Sequence, residues 1–334
     1  MSKQLCICIP TFNRVDKLRN SLSHHANLCL EYGAGLVVSD NASSDGTRDL
    51  LIQYKEQYSW FDFVSNHRNI GADANFNRAL KLGLQTEANY MWLLGDDDFI
   101  EPDALIEVLN RLVVDTPDFL FVNTKNQVYE RLPSIYSSHS KLLRDLAWHS
   151  TFMSSLIFSR SAANFGIEPN QSSPNFSHVF GIFNYLSTLS SIRVSWIQKP
   201  SVVTLRFDST LPSWFPHILE FFVSNWVKTI NELPSIYSVE DKKIAIRSLW
   251  RNSKILNFKT IIFLIFRNDI KLLDYLQRKT EFYLVIGKLR FYSLIIAFTI
   301  PKFLSKRLAR IALNRYSKRR AVESRSFHAL KHIK

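Results

Sequence analysis

One run constrains this chain more than any other: Tyr90-Met91-Trp92-Leu93-Leu94-Gly95-Asp96-Asp97-Asp98-Phe99. Five mostly apolar residues have the length and bulk of a strand buried on both faces. Gly95 permits a tight turn or a close approach of the backbone. Three adjacent carboxylates then repel one another and need positive charge among them. A hard divalent cation with oxygen ligands, its shell completed by phosphates, meets that need, and open α/β sheets bind ligands at the carboxyl ends of their strands. The plainer alternative is an acidic loop whose last carboxylate caps the helix starting near Glu101-Pro102.

The chain around this run alternates. Strands are expected at Leu5–Ile9, Leu36–Asp40, Trp60–Ser65, Tyr90–Leu94 and Phe119–Asn123, with helices at Val15–Leu30, from Thr47, at Ala72–Leu84 and up to about Val114. This order predicts a mainly parallel, doubly wound α/β sheet flanked by helices. Three of the strand ends carry Asn, Asp, Ser or Gly clusters, and their convergence says more than any single loop. Further on, Phe152–Ser159 reads as a strand and Phe176–Leu189 as a helix. Ile192–Ile197 and Val202–Phe207 read as two strands around Pro200. After Asp208 the pattern is helical: Phe215–Asn231, Val239–Leu256, Lys259–Ile265, Ile270–Lys279 and Tyr283–Phe303.

Charge is unevenly placed. Of the net +13, residues 302–334 supply +10, from eleven Lys and Arg against Glu323 alone. Cys6, Cys8 and Cys29 form no metal-binding pair and read as small buried hydrophobes in a reducing compartment. No signal sequence is read ahead of Leu5, and no apolar run reaches the ~18 residues of a membrane span. The expected organisation is an α/β domain over 1–207, a helical region over 208–301 and a basic tail over 302–334.

Four stretches together resemble the nucleotide-sugar glycosyltransferases of family 2, which have the GT-A fold. They are Ile7-Cys8-Ile9-Pro10-Thr11-Phe12-Asn13-Arg14, Val38-Ser39-Asp40-Asn41-Ala42-Ser43-Ser44-Asp45-Gly46-Thr47, Asn69-Ile70-Gly71 and Leu94-Gly95-Asp96-Asp97-Asp98. Gly71-x-Asp73-x-Asn75 with Trp92-x-x-Gly95-Asp96-Asp97-Asp98 looks most like a bacterial branch that includes abequosyltransferases of O-antigen synthesis. The resemblance implies that Pro10, Thr11 and Asn13 line the nucleotide pocket, with Arg14 near the base or phosphates. Asp40 would accept from the base, with Asp45 behind that loop, and Asp96 would approach the ribose. Asp97 would be the principal ligand of Mn or Mg, with Asp98 a second ligand or a holder of metal-bound water. Asp73 and Asn75 would contact the nucleotide or donor sugar, or else cap their helix. The implied activity is hexosyl or deoxyhexosyl transfer from a nucleotide sugar to a lipid-linked or surface glycan, such as O-antigen, lipopolysaccharide or capsule, by single displacement with inversion.

The sequence departs from the family where an acidic catalytic base is usual, because no Asp or Glu lies between Glu168 and Asp208. Within that gap His178 has the reference pKa suited to accepting a sugar hydroxyl's proton. It is the candidate base; a metal ligand and a buried structural histidine are the alternatives. Glu168 and Asp208 are reserve candidates. Phe282–Phe303 and the basic segment after it read as an interfacial anchor for the inner, cytoplasmic face of a bacterial membrane. A packed helix with a solvated end is the alternative. Two other functions are weighed: a nucleotidyltransferase acting on a sugar phosphate, and nucleic-acid binding by the tail. The first lacks a triphosphate-cradling Gly-rich loop, and the second leaves the aspartates unexplained, so no nucleic-acid partner is expected.

Overall fold

β1 (Leu5–Thr11) is buried along its whole length, as its unbroken apolar run requires. The computed structural model describes residues 4–124, 128, 130–167, 175–204, 217–253, 257–301, 304, 307 and 308. After β1 the chain alternates through α1 (Val15–Tyr32), β2 (Gly35–Asp40), α2 (Thr47–Gln57), β3 (Phe61–Ser65), α3 (Ala72–Gln85) and β4 (Tyr90–Leu93). β5 (Asp98–Ile100), α4 (Pro102–Asp115), β6 (Phe119–Thr124), β7 (Ile135–Tyr136) and α5 (His139–Leu146) follow. β8 (Leu156–Ser159), α6 (Arg160–Phe165), α7 (Ser177–Ser187) and β9 (Val194–Thr204) complete the sheet and its helices.

The sheet runs β3-β2-β1-β4-β8-β6-β9-β5, with β7 paired to β9. The first four strands are parallel, which brings the carboxyl ends of β1, β2, β3 and β4 to one edge. Beyond them the sheet is mixed: β8 lies antiparallel between β4 and β6, and β5 is antiparallel to β9. One core cluster covers this sheet, including Leu5, Ile7, Ile9, Val38, Trp92, Leu94 and Leu120. Each such large side chain removed from water contributes about 1.5–3 kcal/mol.

Several expectations change. Asp98 opens a short strand, β5, by pairing with Thr204, which three residues of sequence do not reveal. The two strands expected around Pro200 are one, β9. Pro200 fits because the register with β6 shifts there, between Val122 and Asn123 and again between Asn123 and Thr124, and a bulge tolerates the missing donor. The expected strand Phe152–Ser159 follows a tight turn at His149–Thr151 and opens on a second at Met153–Ser155, so only Leu156–Ser159 pairs.

The described residues fall into two compact units, Met1–Thr204 with Thr229–Ala245, and Leu205–Lys228 with Ile246–Lys334. In the first, Asp241 accepts from Ser140 and Arg144, and the Tyr237 hydroxyl donates to Phe183 O, so 229–245 is bonded into the α/β unit. The later helices are α8 (Trp226–Glu232), α9 (Val239–Asn252), α10 (Phe258–Arg267), α11 (Leu272–Gln277), α12 (Lys279–Val285) and α13 (Lys288–Ile295). The single helix expected over Tyr283–Phe303 is therefore broken. Gly287, at φ 84°, separates α12 from α13 in a backbone conformation that side chains disfavour. Tyr275 stacks on Phe291 across this break, ring centroids 4.6 Å apart. No helix among the described residues is long and apolar enough to cross a membrane. The basic tail lies outside the described residues except at positions 304, 307 and 308.

Candidate active site

The site grows from three strand ends. β1 finishes at Thr11, whose hydroxyl donates to Asp96 Oδ2 at 2.8 Å. β2 finishes at Asp40, where Asp40 Oδ1 accepts from Ser43 N and turns the loop back. β4 runs into Leu94 and Gly95. A side chain at Gly95 would meet Asp98 Oδ2 at 2.7 Å and Ser154 Oγ at 3.3 Å, so only glycine fits beneath the aspartates.

The loops after β1 and β2 clasp each other. Asn13 N donates to Ser43 Oγ, and Asn13 Oδ1 accepts from Ser44 N, both at 2.8 Å. Asn13 adopts φ 51°, a left-handed turn that Asn tolerates. Asp45 sits behind this clasp. Its carboxylate accepts from Val15 N, Thr47 N and Thr47 Oγ1, capping α1 and α2 together. Burial opposes its charge, but these hydrogen bonds win and hold its pKa below the usual carboxylate value. Pro10 is buried within β1, opposite Ser39.

Asp96 and Asp97 are the chemically distinctive pair. Asp96 is 3% exposed and Asp97 15%. Burial pushes Asp96 up to about 6, with Arg14 holding it down and Asp97 pushing it further up. Arg14 Nη1 bonds Asp96 Oδ1 and reaches Asp97 Oδ1 at 3.4 Å, while Lys17 Nζ lies 3.7 Å from Asp97 Oδ2. The positive charge that the aspartates demand thus comes from the protein. Lys17, three residues past Arg14 on α1, escaped the sequence reading; helical spacing was the signal for it.

The other expected residues are placed differently. Asp98 is turned onto Ser154, whose hydroxyl donates to Oδ2 and accepts from Gly95 N at 2.8 Å. Asn75 is buried, and both ends of its amide are spent. It accepts from Ser39 Oγ and Asn66 Nδ2 and donates to Ser39 O and Thr11 O. It holds the strand ends together. Asp73 accepts from Asn175 N and Ser177 Oγ, anchoring the start of α7. Asn41, quoted in the motif but given no role, bonds Asn66, Asn69 and Ile70 and joins the second and third strand ends.

His178 lies in the first turn of α7, 3% exposed, edge-on to Phe76. Burial lowers its pKa, Asp73 opposing, so the ring is neutral. Neither ring nitrogen makes a well-formed hydrogen bond among the described residues, although Ser150 and Thr151 backbone lies close enough to favour the proton. The segment 149–155 thus meets His178 at one end and, through Ser154, the aspartate turn at the other. Glu168 and Asp208, the reserve candidates, lie outside the described residues.

Residues 6–170 match the model of glycosyl transferase family 2. Over 222 residues the chain is 24% identical to the abequosyltransferase RfbV of Salmonella typhimurium, covering 64% of this chain and 59% of that relative. The match thus spans less than two thirds of the relative's length. Among solved structures, S. aureus TarS in complex with UDP-GlcNAc aligns with a TM-score of 0.57 at 16% identity, over 89% of this chain and 88% of that one. The mannosyltransferase PcManGT from Pyrobaculum calidifontis, in complex with GDP-Man and Mn2+, aligns with a TM-score of 0.54 at 14% identity, over 92% and 88%. The mixed, mostly parallel sheet flanked by helices is the GT-A fold.

Proposed function

Residues 6–170 belong to glycosyl transferase family 2, and from that premise we propose that the protein moves a sugar from a nucleotide-sugar donor to a hydroxyl of a growing glycan. The observation that carries this reading is the convergence of Thr11, Asn13, Asp40 and the Asp96-Asp97 pair at the carboxyl ends of parallel strands. Strand ends of this kind, lined by turn residues and acids, are where open α/β sheets bind ligands, and they suit a nucleoside diphosphate with its metal.

The donor set fits a divalent metal. Two carboxylates already share one guanidinium, and their hard oxygens suit Mn2+ or Mg2+ whose remaining positions are filled by phosphate and water. Asp97, the more exposed of the two, would hold the ion, with Asp96 beside it. When bound, such an ion neutralises the charge that develops on the departing diphosphate. The loop clasp from Asn13 to Ser44 would orient the nucleotide, and His178, neutral and without a well-formed partner, would take the acceptor hydroxyl's proton. In this reading the transfer is a single displacement with inversion, as the family resemblance implies.

The relative's name, an abequosyltransferase, supports a hexosyl or deoxyhexosyl donor; a lipid-linked or surface glycan as acceptor is part of the same proposal. The +10 charge of residues 302–334 supports attachment to the anionic inner face of the cell membrane. A thermal-shift screen against UDP, dTDP, CDP and GDP sugars, with and without Mn2+, tests the donor reading. One nucleotide class should raise the melting temperature, and more so with metal. Folded protein that responds to none of them would refute it.

A further inference from the structure

We propose that Arg14 and Lys17, paired with Asp96 and Asp97, compete with a divalent cation for these carboxylates. The inference rests on the metal-dependent reading above.

Two adjacent carboxylates, one of them almost sealed from water, are costly without a counter-charge. Arg14 supplies it to both at once: Nη1 contacts an oxygen of each, and Nη2 lies 3.4 Å from Asp97 Oδ2. Lys17 adds a second cation on the Asp97 side. The partners are not equally fixed. Asp96 is held by the Thr11 hydroxyl inside the protein, whereas the Arg14 side chain is 41% exposed and rises from the residue just before α1. Arg14 is therefore the side that moves.

A metal ion arriving alone must displace these cations into water. A metal ion arriving with a diphosphate offers them new partners, because a guanidinium forks onto phosphate oxygens as readily as onto carboxylates. Metal and nucleotide would then bind with positive coupling, and each would raise the other's affinity by the same factor. Arg14 and Lys17 would pass from holding the aspartates to holding the donor's diphosphate.

The test is a calorimetric titration of Mn2+ alone into the full chain at pH 8. Arg14→Gln should bind Mn2+ about tenfold or more tightly than wild type. Arg14→Lys, which keeps the charge, should stay near wild type, and Lys17→Gln should show a smaller gain. Asp97→Asn should abolish the binding in every background. Equal or weaker Mn2+ binding by folded Arg14→Gln, with Asp97-dependent binding intact in wild type, would overturn the competition and leave the metal site standing. No Mn2+ binding in any variant would overturn both. If Arg14→Gln fails to fold, Lys17→Gln decides the question by the same comparison.

Discussion

The Thr11 hydroxyl donates to Asp96 Oδ2 at 2.8 Å, tying the end of β1 to a carboxylate 85 residues further on. Removing that donor while keeping the shape, as in Thr11→Val, leaves a buried carboxylate oxygen short of a partner. The expected loss is about 1–3 kcal/mol of stability, read as a lower melting temperature. A melting curve that overlays wild type would mean that the bond contributes nothing to holding Asp96.

Asp97→Asn keeps the volume and the fold while removing the more exposed charge of the pair. Metal-dependent transfer should fall by about 10²–10³ or more, with the melting temperature little changed. Undiminished turnover would remove Asp97 from the metal site.

Asp45 caps two helices with one side chain, through Val15 N and through Thr47 N and Oγ1. Asp45→Ala should therefore cost more than an ordinary cap, about 1–2 kcal/mol or somewhat above. Because the clasp between Asn13 and Ser44 rests on the same loops, donor affinity should weaken as well. Chemical denaturation and donor titration of one variant measure both effects.

How much of this was legible in the sequence depended on how local each cause is. Strands β1, β2 and β4 were readable because each buries a run of mostly apolar residues that ends in turn residues. The Asp45 loop was readable for the same reason. Asp98 was not, because its role depends on Ser154, 56 residues away, and on a strand pairing with Thr204. For Asn75 the sequence allows a ligand contact or a helix cap, because a motif shows an amide's presence but not what surrounds it; packing shows the amide bonded to Ser39 and Thr11. Lys17 was visible but had no meaning until α1 set it facing Asp97.

The acid limb of stability has a named source. His25 is buried between Ser21 and Ile100, Nδ1 toward Ser21 O at 2.8 Å and Nε2 accepting from Ile100 N at 3.3 Å. Burial, aided by His24 and opposed by Ser21, lowers its pKa from 6.5 to about 3. The native state therefore holds fewer protons than the unfolded chain. The stability conferred by the neutral ring is complete above about pH 6.5 and is lost as pH falls toward 3. At about 1.36 kcal/mol per pH unit this amounts to roughly 4–5 kcal/mol. His149, lowered to about 4 by burial, adds in the same direction. His25→Gln should flatten the fall between pH 6.5 and 4, and denaturant midpoints across that window measure it. An unchanged slope would place the acid sensitivity elsewhere.

His178 separates two roles by their readouts. As the base, His178→Gln should lower the turnover number with little change in donor affinity and should remove the acid limb of the rate profile. If the residue only packs against Phe76 and Phe176, the melting temperature should fall while the pH profile keeps its shape.

The most direct measurement is a transfer assay with labelled nucleotide sugars, Mn2+ and a membrane extract carrying lipid-linked glycans. The expected result is metal-dependent release of a nucleoside diphosphate, with the label passing into the lipid-extractable glycan and the activity lost in Asp97→Asn. No release from any nucleotide sugar, or pyrophosphate released from a nucleoside triphosphate and a sugar phosphate, would contradict it.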